Sequence, residues 1–213
     1  MAGINGTTVT ELNIRELGPD ELEDAARLLG RGMCDNPANV RSFGIPNAEH
    51  RRRVLTRFFA PALCGLYRRG LIVGAFREDI LVGLYAMAGP GLCQPPLMQK
   101  LEVARAVVFA ISVAATLRVL KWAGEWARHD LPEPHWHLGP VAVDFHLQGQ
   151  GIGGAMMADF CTRMDDCDAL SYLETDRSEN VRFYESFGFK VIEEAAVLGI
   201  PNWFMLRTPR SAP

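Results

Sequence analysis

The sequence has an odd number of cysteines and no C-x-x-C pair. Its five cysteines, spread over 213 residues, are Cys34, Cys64, Cys93, Cys161 and Cys167. This spacing argues against a disulfide framework and against a zinc site, so we expect free thiols, a reducing compartment and no metal.

Long hydrophobic runs and a strong charge of either sign are also lacking. The formal net charge is −3, which gives no general attraction for nucleic acid. The most apolar stretch, residues 106–117, is shorter than the ~20 residues that a membrane helix needs. Because it is apolar on nearly every helical face, we expect it to be buried in the core or against a second copy of the chain in a homodimer. Residues 1–8 lack the basic start and apolar run of a signal peptide, which favours the cytoplasm.

Hydrophobic residues make up 48% of the chain, enough for one buried core, and we predict a single domain over residues 1–213. The alternation of helical and strand periodicity predicts an α/β (α+β) protein, with a mixed sheet flanked by helices on both faces. The predicted elements are a strand near residues 12–15, helices after residues 20 and 47, a hairpin of strands 71–77 and 80–88, one long helix 97–128, a strand 135–143, a helix from 151, a strand 171–174, a short helix from 180, and strands 189–193 and near 202–206.

A glycine-rich loop joins the predicted strand 135–143 to the helix that follows it. Glycine occupies four of the six positions from Gly149 to Gly154. Glycine lets backbone N–H groups approach an anion closely, and the helix start adds its positive dipole end. The loop therefore predicts a pyrophosphate cradle. Its residues are Gln148, Gly149, Gln150, Gly151, Ile152, Gly153 and Gly154.

The same glycines satisfy G-x-G-x-x-G, and Glu174 follows about 20 residues later, as in a dinucleotide-binding fold. Two features argue against that alternative. Residues 144–148 separate the loop from its strand and spoil the tight turn, and only some sixty residues remain for further strand and helix units.

The second half of the chain resembles the GNAT superfamily of N-acetyltransferases. The likeness rests on Gln148-x-x-Gly151-x-Gly153, Asn180, residues 183–185 and Gly188-Phe189. A closer resemblance is to the puromycin N-acetyltransferase type, and it covers residues 135–208, including His135-Trp136, Leu173-Glu174 and the ending Trp203–Arg207. Phe145 departs from the proline that usually follows the fourth strand in the family.

The resemblance implies a GNAT-like sheet, mixed and mostly antiparallel, with an acceptor-side half at residues 12–134 and an acetyl-CoA-binding half at 135–208. It implies that acetyl-CoA is the acyl donor, that its pantetheine pairs with the backbone of Val141, Ala142 and Val143, and that a backbone N–H near Val143 polarises the thioester. Asn180 is expected to bind the cofactor or to fix the neighbouring helix, and a helix N-cap is an equal alternative.

Three side chains are candidates for proton transfer. Tyr184 is the expected donor to the leaving thiolate and a second contact of the cofactor, because a phenol stays protonated at neutral pH. His137 and Glu174, on neighbouring strands, are alternative bases for the incoming ammonium. In a pleated strand His137 shares a face with His135, Val141 and Val143, and aralkylamine N-acetyltransferases carry histidines on the corresponding strand.

These observations predict an acetyl-CoA-dependent N-acetyltransferase that acts on a primary amine, of a small molecule, by direct attack in a ternary complex. The apolar helices around Phe58 and Phe109 favour a hydrophobic amine over a charged sugar. The alternative is a catalytically inactive acyl-CoA-binding sensor or structural domain that has kept the cradle.

Overall fold

A computed structural model describes residues 12–110 and 112–210. Residues 1–8, on which the expectation of no signal peptide rests, lie outside this range. The strands are β1 (Asn13–Glu16), β2 (Gly70–Arg77), β3 (Ile80–Ala88), β4 (Trp136–Val143), β5 (Ser171–Thr175), β6 (Lys190–Val197) and β7 (Ile200–Arg207). The α-helices are α1 (Leu22–Gly32), α2 (Pro37–Phe43), α3 (Ala48–Tyr67), α4 (Leu97–Ala110), α5 (Val113–Trp126), α6 (Ile152–Asp166) and α7 (Ser178–Glu185).

The seven strands form one sheet in the order β1-β2-β3-β4-β5-β7-β6. Only β4 and β5 run parallel, and every other neighbouring pair is antiparallel. Successive side chains of β2 alternate between the two faces, so that Ile72 packs with α1 and α3 while Val73 packs with α6. The predicted mixed, mostly antiparallel sheet with helices on both faces is therefore confirmed.

The β2–β3 hairpin follows from the turn residues that the sequence supplies. Glu78 and Asp79 both adopt positive φ, at 47° and 63°, which is the backbone conformation of a two-residue turn between twisted antiparallel strands. The hairpin lies in the middle of the sheet and pairs with β4 along the other edge of β3.

The prediction of one long helix from 97 to 128 is wrong. Ser112 has an extended backbone, with φ −173° and ψ 162°, and its side chain accepts a hydrogen bond from the N–H of Ala115. This N-cap begins α5 as a separate helix, because a serine side chain can satisfy a backbone donor that a continuous helix would pair internally.

The apolar stretch at 106–117 is buried only in part where its side chains are described: Ala115 and Thr116 are buried, whereas other side chains are exposed. Val108 is 38% exposed, Val113 63% and Leu117 62%. The alternative expectation, a contact with a second copy of the chain, stays a prediction that light scattering would test. Among the described residues, no helix combines the length and the apolarity that a membrane span requires.

The parallel pairing of β4 with β5 covers two positions, near the start of each strand. Trp136 lies opposite Ser171 and His137 opposite Tyr172, after which the two strands separate. β4 continues to Val143 in register with β3, while β5 continues in register with β7. The sheet is therefore open along one edge of β4, and the candidate site lies at this opening.

Candidate active site

A cavity of about 370 Å³ lies where β4, the glycine loop, α6 and α7 meet. It brings together eight of the residues predicted to bind the cofactor, from three separate parts of the chain. These are Val143, Gln148, Gly149, Gly151, Ile152, Gly153, Gly154 and Asn180. A second cavity, of about 470 Å³, contains none of the predicted site residues.

The glycine loop adopts a backbone that other residues would strain. Gly149 and Gly151 have φ of 77° and 81°, in the left-handed region that glycine enters at no steric cost. Gly151 is the N-cap of α6, no side chain caps this helix, and its first turn holds no acidic residue. The first N–H groups of α6 are thus available to an anion, and the helix dipole favours negative charge there.

The open edge of β4 presents main-chain hydrogen-bonding groups. The N–H of Asp144 donates to the carbonyl of Val82, and hydrogen-bonded and non-bonded pairs alternate along antiparallel strands. Ala142 therefore bonds to β3, while the N–H and C=O groups of Val141 and Val143 point away from β3. The carbonyl of Val143 accepts a 3.3 Å hydrogen bond from Nε2 of Gln148, which ties the loop to the strand.

Four residues predicted to bind the cofactor do not line the cavity. The side chain of Ala142 is buried on the opposite face of the sheet, against α1, and Gln150 is held by a 2.7 Å hydrogen bond from Arg77. Val141 is available through its backbone only, and Tyr184 lies behind Phe183.

Sequence reasoning missed two lining residues, Leu147 and Phe183. Phe183 is only partly buried, and its ring lies 3.6 Å from the position that a Cβ on Gly153 would take. The helical spacing of α7 was the only signal for this placement.

Asn180 lies inside the first turn of α7, so the alternative interpretation of this residue as the N-cap is wrong. The N-cap is Arg177, and no side chain caps the helix. The amide of Asn180 donates to Oγ1 of Thr175 at 3.3 Å. This contact fixes Asn180 at the cavity wall, where its amide oxygen can accept a hydrogen bond from a bound molecule.

Tyr184 is 92% buried among aromatic rings, against Phe183 and Phe189. Burial raises the pKa of its phenol above the ordinary value, because the apolar surroundings disfavour the phenolate. No hydrogen bond to its hydroxyl is found within the described part of the chain. The phenol is therefore held in its protonated form and can donate.

His137 and Glu174 contact each other across the β4–β5 junction. Nε2 of His137 lies 2.8 Å from Oε2 of Glu174, whose side chain is 3% exposed. The second oxygen, Oε1, is buried and has no hydrogen-bond partner in the described structure. Burial opposes a charge on His137, but Glu174 and Cys93 outweigh it and raise the pKa of His137 to about 10.

Tyr184 and the His137–Glu174 pair lie on opposite faces of the sheet. Tyr184 packs with α6, whereas the ring of His137 meets Tyr172, which packs against α5. The opening between β4 and β5 separates the two. A thioester entering from the side of α6 could therefore meet an amine arriving from the side of α5.

Further polar side chains lie near His137, and sequence reasoning did not predict that they come together. Nε2 of His135 lies 3.0 Å from Oδ1 of Asp130 and 3.4 Å from Sγ of Cys93. Burial opposes charge on these groups, but mutual attraction raises the pKa of His135 to about 10 and lowers that of Cys93 to about 7. The alternation His135-x-His137 on one strand face was the available signal, whereas Cys93 and Asp130 come from loops.

Comparison with solved structures shows that this fold is the GNAT fold. A histone acetyltransferase HPA2 and related acetyltransferase from Corynebacterium glutamicum aligns with a TM-score of 0.70 at 19% identity, over 94% of this chain and 98% of that one. A polyamine N-acetyltransferase from Drosophila melanogaster aligns with a TM-score of 0.61 at 15% identity, over 93% and 100%. The PaiA N-acetyltransferase from Thermoplasma acidophilum, solved with coenzyme A, gives 0.57 at 14% identity, over 93% and 99%.

The sequence itself matches a family model, the acetyltransferase (GNAT) domain, over residues 105–191. This segment runs from α4 to the start of β6 and contains the glycine loop, β4, β5 and α7. The protein thus has the GNAT fold and carries a GNAT acetyltransferase domain match at the part of the chain that builds the site.

Proposed function

We propose that this protein is an N-acetyltransferase that transfers an acetyl group from acetyl-CoA to a primary amine in a ternary complex. The observation that carries the proposal is the coincidence of the uncapped glycine-lined start of α6 with the unpaired edge of β4. One supplies N–H groups for a pyrophosphate, and the other supplies an edge for the amide groups of pantetheine.

The donor is proposed to bind with its pyrophosphate at residues 148–154 and its pantetheine along Val141 and Val143. Ala142 then contributes by holding β4 against β3. Gln150 stabilises the loop through Arg77. The backbone N–H of Val143 points to the open side of β4, which suits it to polarise the thioester carbonyl.

Glu174 is the better of the two candidate bases on geometry. Nε2 of His137 is engaged by Glu174, and its Nδ1 faces the cluster of Cys93 and Asp130, so neither nitrogen points to an incoming amine. Oε1 of Glu174 has no partner among the residues that the structure describes, and it can accept a proton from the ammonium, directly or through water. His137 then holds Glu174 in place.

These groups account for each bond and each proton of the acetyl transfer. The neutral amine attacks the thioester carbon, the new C–N bond forms, and the C–S bond breaks as the tetrahedral intermediate collapses. Tyr184 donates its proton to the leaving thiolate and recovers one from solvent or from the protonated nitrogen of the tetrahedral intermediate, so that the products are the neutral amide and the thiol of coenzyme A. Holding both reactants at the opening supplies the proximity that the uncatalysed reaction lacks.

The acceptor is proposed to be a small-molecule primary amine, of the hydrophobic kind that the puromycin N-acetyltransferase resemblance suggests. Phe58, one of the two residues on which this idea rests, is partly buried and packs with its ring centroid 5.2 Å from that of Phe43. The side chain of Phe109, the other residue on which this idea rests, lies outside the described residues. We also propose that the protein is located in the cytoplasm.

The test is a calorimetric titration with acetyl-CoA, with NADH as a control, followed by thiol release against a panel of aromatic, aliphatic, polyamine and aminoglycoside acceptors. Binding that favours the folded state must also raise the melting temperature. Acetyl-CoA binding with amine-dependent thiol release supports the proposal. Binding without release from any amine favours an acyl-CoA sensor, and no binding contradicts both.

A further inference from the structure

Four potential metal ligands converge beside the β4–β5 junction. Sγ of Cys93, a carboxylate oxygen of Asp130, and one ring nitrogen each of His135 and His137 all lie within 4.8 Å of one another. Cys93 comes from the loop after β3 and Asp130 from the loop after α5. Both histidines are at the start of β4, where strand alternation places positions 135 and 137 on one face.

The distances match those of a tetrahedral site. Nε2 of His135 lies 3.0 Å from Oδ1 of Asp130 and 3.4 Å from Sγ of Cys93, and Nδ1 of His137 lies 4.0 Å from the same Asp130 oxygen. Bonds of about 2.0 to 2.3 Å at tetrahedral angles separate neighbouring ligand atoms by roughly 3.3 to 3.6 Å. All four ligand atoms lie within 4.8 Å of one another, so inward shifts of up to about 1 Å would close the set around an ion.

Both histidines are oriented by groups outside the cluster. Nδ1 of His135 lies 2.8 Å from the carbonyl oxygen of Glu133, which can only accept, so that nitrogen carries the proton and Nε2 is free to bind. Nε2 of His137 lies 2.8 Å from Glu174, which leaves Nδ1 toward the cluster. Such outer partners are the usual companions of metal-binding histidines, because they fix the tautomer and the ring.

Asp130 is held in the same way. Its Oδ2 accepts a 3.0 Å hydrogen bond from Nε2 of Gln94, whereas Oδ1, which faces the cluster, is buried and receives no hydrogen bond within the described structure. When each histidine carries a single proton, on the nitrogen bonded outside the cluster, lone pairs of Asp130 Oδ1, His135 Nε2 and His137 Nδ1 point inward beside the sulfur of Cys93. Acceptors that converge in this way need positive charge among them, which a metal ion can supply in place of the extra protons on the histidines.

We propose that Cys93, Asp130, His135 and His137 bind one zinc ion. Mixed sulfur, imidazole and carboxylate ligands in a tetrahedral set suit zinc, whereas calcium and magnesium prefer oxygen alone. Four protein ligands complete the coordination, which assigns the ion a structural role: it ties the loops after β3 and α5 to β4 beside the opening. This site is separate from the acyl donor's binding site and does not rest on the proposed function.

The proposal differs from the expectation drawn from the sequence, which found no zinc motif. That expectation rested on the lack of cysteine pairs at short spacing in the sequence. Here the fold assembles Cys93 and Asp130, 37 positions apart, with a single H-x-H pair. Their proximity depends on the β3–β4 pairing, which no local pattern reveals.

The test uses the full chain, purified without a metal-affinity tag, stripped with a chelator and titrated with zinc against a chromophoric competitor. One zinc per chain is expected. Loading with cobalt should give a thiolate-to-cobalt charge-transfer band and the intense visible bands of a tetrahedral site. Cys93→Ser should abolish the charge-transfer band, while Cys167→Ser, which changes an exposed cysteine after α6, should retain it.

Glu174→Gln provides a further test that leaves all four proposed zinc ligands in place. Loss of an outer partner should weaken zinc binding by about 10- to 100-fold. Circular dichroism of each variant separates ligand loss from unfolding. The proposal is overturned if folded, stripped wild-type protein takes up neither zinc nor cobalt, or if uptake is the same in Cys93→Ser and wild type.

Discussion

The imidazole of His137 and the carboxylate of Glu174 join β4 to β5 at the last position where these strands still lie side by side. The contact measures 2.8 Å, and the backbone pairing of the two strands ends at His137 and Tyr172. The pair therefore marks the inner end of the opening. Because Oε1 of Glu174 is buried and unpartnered in the described structure, this carboxylate has an acceptor to offer to a molecule entering the opening.

Glu174→Gln should lower kcat for amine acetylation by about 10²-fold or more, since an amide cannot take the proton of the attacking ammonium. The affinity for acetyl-CoA, measured by calorimetry, should be unchanged, because Glu174 lies on the face of the sheet opposite the cavity at the glycine loop. The matched control is Glu194→Gln, which makes the same change on exposed β6. Equal turnover in the two variants would remove Glu174 from the mechanism.

Tyr184→Phe should also lower kcat by roughly 10²-fold or more, because it removes the proposed proton donor to the thiolate while keeping the aromatic packing. The ring contacts with Phe183 and Phe189 are preserved, so the melting temperature should change little. Steady-state thiol release measures the effect. Tyr67→Phe, at a partly exposed tyrosine that ends α3, is the control. Full activity of Tyr184→Phe would make solvent the proton source.

The conformation of the glycine loop could be predicted from the sequence because its signal is local. Gly149 and Gly151 take the positive φ that their residue type permits, and the strand and helix on either side have clear periodicity. The hairpin at Glu78-Asp79 was predictable for the same reason. The break at Ser112 was not, because an apolar helical pattern continues across it and the serine cap is a single residue.

Contacts between segments that are far apart in the sequence could not be predicted from it. The meeting of His137 with Glu174 depends on a parallel pairing only two residues long. The approach of Cys93 and Asp130 to His135 depends on how two loops leave β3 and α5. Phe183 lies in α7 and Phe187 follows the end of this helix; both are aromatic, and tertiary packing decides that Phe183 reaches the cavity.

Gly153→Val should raise the KM for acetyl-CoA by about tenfold or more. A Cβ at this position makes ordinary contacts, 3.6 Å from Phe183 and 3.8 Å from Val143, so the chain can fold, but the larger side chain fills part of the cavity. Adding methyl groups to a well-packed contact costs about 1–3 kcal/mol. A loss of about 1.4 kcal/mol in binding free energy lowers the affinity tenfold.

Gly124→Val makes the same change in α5 at a position where a Cβ meets nothing within 4 Å among the described residues. Its KM for acetyl-CoA should equal that of the wild type. Comparable KM values for the two variants would show that the cavity beside Gly153 does not hold the cofactor.

A buried ion pair near the end of the chain should make stability depend on pH. Arg207 is 2% exposed and donates to Oδ2 of Asp165 at 2.7 Å. This hydrogen bond lowers the pKa of Asp165 in the folded state. The unfolded chain therefore binds the proton more readily, so the stabilisation is present above the ordinary carboxyl pKa of about 4 and is lost as pH falls through the folded value.

Asp165→Asn should accordingly lower the free energy of unfolding by about 1–3 kcal/mol at pH 7, because it leaves the buried guanidinium of Arg207 without its charged partner. Urea unfolding at pH 7, 4, 3 and 2.5 should show this difference unchanged down to about pH 4 and narrowing below it, as the wild-type carboxylate becomes protonated. Asp166→Asn, at the exposed neighbouring position, controls for the loss of one negative charge and should be nearly neutral. A difference that stays constant from pH 7 down to pH 2.5 would mean that the ion pair adds nothing and that Asp165 acts only through neutral hydrogen bonds.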